Sequence, residues 1–205
     1  IQFSVPGTAE YVDLSQTYLR CEVSIEPLQS ADHDKLKAEP AKSQIPTIGP
    51  VNALLHALFS QIDITFNNKP VTTPNNSYPY KAVIETILNY GSDAKNTHLQ
   101  CQLYYPDTAG QMEATGITNK GLVARRELLG ANSKIDLIGP LHCDVTTMNR
   151  IVINYVNIDF KLIRSREGFD LMDPSGMFRT VITSATLRVR KVVIKPELAN
   201  AHNDR

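Results

Sequence analysis

Apolar and polar residues alternate with period two over several stretches of the 205-residue chain. Leu19, Cys21, Val23 and Ile25 are interleaved with Arg20, Glu22, Ser24 and Glu26. An extended chain with that pattern has one apolar and one polar face. Ile62, Ile64 and Phe66 alternate with Asp63 and Thr65, and the run enters Asn67-Asn68, residues that tolerate the positive φ of a tight hairpin turn. Lys69-Pro70-Val71 is then the returning strand. The longest alternation runs over residues 151–163, with Val156, Ile158, Phe160 and Leu162 facing one way and Asn157, Asp159 and Lys161 the other. Val181, Thr183, Ala185, Leu187 and Val189 alternate with Ser184, Thr186, Arg188 and Arg190, and Ile1-Gln2-Phe3-Ser4-Val5 also reads as a strand. Half-buried strands of this kind predict an all-β, antiparallel organisation. The expected strands are 19–25, 62–66, 152–162 and 181–193.

Two segments change the period. Over residues 51–59, Val51, Leu54, Leu55 and Leu58 form a helical stripe, with Pro50 suited to the first turn. Over residues 81–90, Val83, Ile84, Ile87 and Leu88 share one face and Gly91 terminates the helix. Both are short enough to need docking on the sheets. Residues 29–44 are polar and read as a loop. Residues 92–132 lack a clean period and carry Gly110, Gly116, Gly121 and Gly130, so they read as a long loop excursion.

Composition is that of an ordinary globular chain, 42% hydrophobic and 20% charged, with a length that fits one domain. Twenty-one basic residues balance 21 acidic ones. That argues against nucleic-acid recognition as the main task and leaves no net charge to oppose association. No apolar run reaches the length of a membrane helix. Cys21, Cys101 and Cys143 are widely spaced, so the expectation is three reduced thiols packed as small hydrophobes, as in an intracellular setting. A chain that begins at Ile1 inside a strand reads as a segment of a longer protein.

The chemistry-bearing motifs are weak. No phosphate loop, dinucleotide fingerprint or zinc-protease pattern is present. His142 and Asp144 flank Cys143, but in a strand the two polar side chains would share one face and the thiol the other, which is not a dyad. Asp32-His33-Asp34 sits in a charged loop with no further metal ligand in register. Arg164, Arg166, Arg179, Arg188, Arg190 and Lys191 invite a phosphate-binding reading; charge that blocks pairing at a sheet edge is the simpler one, with Glu167 and Asp170 beside the first two. Asn75-Asn76-Ser77 matches a glycosylation sequon by pattern only. No catalytic, cofactor-binding or metal-binding residue is therefore assigned, and no cofactor or small-molecule substrate is expected.

The order of several structural phrases carries a resemblance. Phe3-Ser4-Val5-Pro6-Gly7-Thr8, Tyr11-Val12-Asp13-Leu14 and Thr17-Tyr18-Leu19 resemble the opening of double-jelly-roll capsid proteins of Polinton/Maverick elements and adintovirus-like viruses. The likeness continues through Gly49-Pro50-Val51-Asn52, Leu58-Phe59-Ser60-Gln61-Ile62-Asp63 and Asn76-Ser77-Tyr78-Pro79-Tyr80-Lys81-Ala82. Glu85-Thr86, Leu88-Asn89-Tyr90-Gly91 and Asp136-Leu137-Ile138-Gly139-Pro140-Leu141-His142 follow. Lys161-Leu162-Ile163-Arg164-Ser165, Phe169-Asp170-Leu171-Met172, Val189-Arg190-Lys191-Val192 and Ala201-His202 close it. More distantly the chain is similar to the first jelly-roll of large DNA-virus major capsid proteins.

That resemblance implies an eight-stranded antiparallel jelly-roll sandwich over residues 1–205, the first barrel of a double-jelly-roll chain. It also implies trimeric capsomers, an icosahedral shell and neighbouring capsid proteins as partners, with the virion as location. A single-jelly-roll, penton-like vertex protein is the alternative. A carbohydrate-binding sandwich is a more remote one, for which Tyr104, Tyr105 and Asp107 are the candidate residues. The apolar residues of the excursion, Leu99, Leu103, Tyr104, Tyr105, Ile117, Leu122 and Val123, are read as an assembly surface.

Overall fold

The computed structural model describes residues 1–27, 48–129 and 134–203, and residues 29–44, expected as a loop and holding Asp32, His33 and Asp34, lie outside them. The strands in chain order are β1 (Gln2–Val5), β2 (Tyr11–Pro27), β3 (Gly49–Pro50), β4 (Phe59–Phe66) and β5 (Lys69–Pro70). They continue with β6 (Lys134–Pro140), β7 (Ile151–Val152), β8 (Ile158–Arg164), β9 (Leu171–Met172) and β10 (Phe178–Val192). The helices are α1 (Leu54–Ala57), α2 (Tyr78–Asn89), α3 (Ser92–Lys95), α4 (Lys120–Leu128), α5 (Asp144–Thr147) and α6 (Pro196–Asn203), with a 3₁₀ turn at His98–Gln102.

The protein is mostly antiparallel β-sheet. One sheet has the order β1-β8-β4-β5; a second has β10-β2-β6, with β7 also on β2; β3 and β9 form a short ribbon. The core lies between the two larger sheets. Leu19, Cys21 and Val23 of β2 share one buried cluster with Phe59 and Ile64 of β4, Phe160 and Leu162 of β8, and Leu54, Leu55 and Leu58. Each such side chain gains about 1.5–3 kcal/mol on full burial. The period-two reading of 19–25 holds, and the strand extends beyond it at both ends. The hairpin holds too: Asn67 and Asn68 have φ of 45° and 66° and join β4 to β5.

Four sequence expectations are corrected. The run at 151–163 is two strands, because residues 153–157 turn away: Tyr155 takes φ 58° and its amide donates to Thr8 O at 2.9 Å. A Cβ at Gly7 would lie 2.6 Å from the Tyr155 carbonyl carbon, so the close approach of the two segments requires glycine there. In β10 a register shift between Ile182 and Ser184 flips the pattern, so Ile182 packs on the core ahead of Ala185, Leu187 and Val189, and Thr183 faces out to bond Glu22. The helix expected at 51–59 is one turn, α1, buried on every side, while Pro50 pairs with Leu171 in the β3–β9 ribbon. Gly91 has φ of −73° and is not a left-handed cap; α2 ends because Tyr90 is extended.

The excursion is also not an irregular loop. It contains α3, the 3₁₀ turn and α4, and two buried arginines fasten it to the segment around β3. Arg125, with no exposed surface, donates to Pro50 O at 2.9 Å, Tyr105 O at 2.7 Å and Asp107 at 2.8 Å. Arg126 donates to Ile48 O and Thr115 O. Leu99, Leu103, Tyr104 and Leu122 are buried against the chain's own body, and of the seven apolar residues read as an assembly surface Ile117 is the exposed one. Their sequence context gave no period because they pack as scattered knobs under irregular backbone.

The basic residues near the carboxyl end lie largely on an edge strand: Arg179, Arg188, Arg190 and Lys191 belong to β10, which pairs with β2 on one side only among the described residues. Arg190 reaches Asp13 and Lys191 reaches Glu10, while Arg164 is bonded to the buried Asp170. Charge on an unpaired edge discourages strand addition.

Candidate functional site: the outward face of helix α2

Helix α2 follows from Pro79 in its first turn and the helix formers Lys81, Ala82, Glu85 and Leu88. Its apolar stripe predicts burial of Val83, Ile84, Ile87 and Leu88, and the helix is turned the other way. Tyr78, Pro79, Ala82 and Thr86 are buried, whereas Tyr80 is 59%, Ile84 55%, Ile87 52% and Leu88 76% exposed. These four stand at i, i+4, i+7 and i+8, one continuous strip along the outer surface. Val83 alone of the expected stripe packs inward, against the small cluster of Ala53, Leu99 and Tyr104.

A buried polar network sets that rotation. Gln102 Oε1 lies 2.8 Å from His56 Nε2, so that nitrogen carries the proton, and the Tyr78 hydroxyl donates to His56 Nδ1 at 3.0 Å. The His56 and His142 rings meet edge-to-face at 4.7 Å. His142 Nδ1 is 2.8 Å from Glu85 Oε2, and Lys81 is bonded to Asp144 of α5. Tyr78, Lys81 and Glu85 are on one side of α2, and an unpaired buried imidazole or carboxylate costs more than an exposed leucine loses. The polar side is therefore held inward and the aliphatic side faces out.

Burial keeps His56 neutral, driving its pKa down to about 3, with the neighbouring His142 adding to the effect. In the unfolded chain the same imidazole takes its proton near 6.5. Below that pH the unfolded state binds one proton more, so stability falls as pH drops from about 6.5 toward 3. From this group the slope is about 1.4 kcal/mol per pH unit, or roughly 2 kcal/mol between pH 7 and 5. Urea unfolding at the two pH values measures it: a His56→Gln variant, less stable at pH 7, should show a slope shallower by that amount. An unchanged slope would exclude His56 as the group.

Cys143 is not in a strand. It caps α5, exchanging bonds with Thr146, and burial pushes its thiol up to about 12. That is the reverse of an activated nucleophile, and His142 is turned to Glu85. Cys21 lies on the apolar face of β2 and burial likewise pushes it up to about 12. Cys101 is exposed, against the expectation that all three thiols pack as small hydrophobes. No disulfide joins them. A thiol reagent should therefore label one cysteine rapidly in the native protein and three after denaturation without reductant; three rapid native thiols would contradict this packing.

The residues weighed for a sugar site are used elsewhere: Tyr104 is buried and Asp107 is the ion-pair partner of Arg125. Among the described residues no three His, Cys, Asp or Glu side chains converge as a metal site requires, and no helix is long and apolar enough to cross a membrane.

No protein-family model matches the chain. It is similar to the uncharacterized protein F54H12.2 of Caenorhabditis elegans, with 24% identity over 153 residues. The match takes in 74% of this chain and 34% of the relative, so the chain spans about a third of that protein's length.

Proposed function

We propose that this chain is a structural module of a viral-type major capsid protein, an eight-stranded jelly-roll that assembles with copies of itself into trimeric capsomers of an icosahedral shell. The outward aliphatic strip of α2 carries the reading. Three branched aliphatic side chains, each more than half exposed and aligned on a rigid helix, leave on the order of 1 kcal/mol apiece to be gained by a covering surface. A second copy is the occupant this reading requires. The formal net charge of zero leaves no long-range repulsion between copies. Two larger antiparallel sheets enclosing a common core agree with a jelly-roll sandwich, and the colinear likeness to Polinton/Maverick capsid proteins supplies the assembly state. The excursion, buried on its own barrel, serves this function by buttressing the sandwich. A single-barrel vertex protein is the nearest alternative within the same class. Sedimentation of the purified chain over a concentration series tests self-association: a species that grows with concentration is expected, and a strict monomer at high micromolar concentration overturns the proposal.

A further inference from the structure

We propose that the cavity at the amino-terminal end of α2 binds a carboxylate joined to a flat or apolar body. The cavity, of about 350 Å³, is lined by Ser60, Asn76, Pro79, Tyr80, Ser165, Arg166 and Phe169. Three independent features favour a negative charge there. The Arg166 side chain is exposed, and its guanidinium makes no hydrogen bond or ion pair among the described residues. The Ser165 hydroxyl is buried and has no hydrogen-bond partner. The 12-residue helix α2 begins at this point with no side chain capping its first turn, so the positive end of its dipole is uncompensated. No acidic residue among the described ones lines the cavity: Asp170 is committed to Arg164, and Glu167, though next in sequence to Arg166, is outside the lining.

The apolar wall defines the rest of the ligand. Tyr80 and Phe169 stand edge-to-face with centroids 6.0 Å apart, a corner against which a ring or short aliphatic body packs while its charge meets Arg166. A guanidinium takes a planar carboxylate through two parallel bonds. Inorganic phosphate would satisfy the charge and leave the aromatic corner unused, so the carboxylate with an attached body is the better match. Such a group can come from a free small acid or from an acidic residue of a second copy.

Benzoate is the probe, titrated into the folded chain and followed by NMR shifts of Tyr80, Ser165 and Phe169. Saturable binding is expected, at least about ten-fold tighter than benzamide, the loss expected for a missing charged hydrogen bond, and tighter than inorganic phosphate. Arg166→Gln, at an exposed position that leaves the fold alone, should abolish the preference over benzamide. Ser165→Ala should raise the melting temperature of the free protein while weakening benzoate several-fold, a pairing that a merely structural serine would not give. Sedimentation of Arg166→Gln separates the sources: weakened self-association assigns the carboxylate to a neighbouring copy, and unchanged association assigns it to a free acid. Equal binding of benzoate and benzamide, phosphate binding as tight as benzoate, or no shift of these residues at millimolar benzoate would each overturn the proposal.

Discussion

Replacing Ile84 by glutamate and Leu88 by lysine is expected to dissolve self-association of this chain while leaving its fold and melting temperature nearly unchanged. Both positions are more than half exposed, so little buried area is lost from the folded monomer. Glutamate and lysine at i and i+4 are good helix formers and attract each other across one turn, which is worth a few tenths of a kcal/mol to α2. At a packed interface the same pair would be desolvated among aliphatic side chains, at a cost of several kcal/mol per ion that their mutual attraction only partly offsets. Association constants should therefore fall by three orders of magnitude or more. Circular dichroism beside light scattering separates the outcomes. A folded double variant that associates as strongly as the parent would remove α2 from the interface.

The largest loss of stability is expected at Arg125. Its guanidinium is wholly buried, and burial pulls its pKa below the ordinary arginine value while Asp107 works against that shift. Arg125→Met fills a similar volume but leaves the carbonyls of Pro50 and Tyr105 and the Asp107 carboxylate without their donor. Breaking a buried pair in this way costs about 3–5 kcal/mol. For a chain of this length that corresponds to a fall in melting temperature of roughly 6–20 °C. Because the three acceptors sit on β3 and the excursion, limited proteolysis should cut first within residues 105–120. A loss below 1 kcal/mol would mean that the excursion is not held by this clamp. Arg125→Lys should recover little, since one ammonium cannot reach three acceptors placed for a fork.

Where the chain is half-buried and regular, its fold was legible from residues alone. Leu19, Cys21, Val23 and Ile25 announce β2, and Asn67-Asn68 announces the turn to β5, because period and turn chemistry are local properties. Features set by distant partners were not legible. Nothing in the sequence around Tyr155 indicates a left-handed residue; the turn there is fixed by Gly7 and Thr8, nearly 150 positions away. The phase of β10 depends on a bulge against β2. The orientation of α2 runs against its own apolar stripe, and distant polar partners are the reason. Its hydrophobic stripe is real, but His56 of α1, Gln102 of the 3₁₀ turn and His142 of the loop after β6 form the network that claims its polar side. The signal that could have found the outward face was the polar set Tyr78, Lys81, Glu85 and Thr86 at helical spacing, too polar for a solvent face of a short docked helix to be assumed without asking what it met. Leu99, Leu103 and Leu122 carried no period, so their burial under the excursion was invisible until the arginine clamps were seen.

The mass of the unaltered chain in solution tests self-assembly most directly. Analytical ultracentrifugation at tens of micromolar should reveal a species of three times 22.8 kDa, in reversible exchange with the monomer and lost in the Ile84→Glu, Leu88→Lys variant. A single 22.8 kDa species across that range, with the fold intact, would contradict the assignment of this chain as a self-assembling shell module.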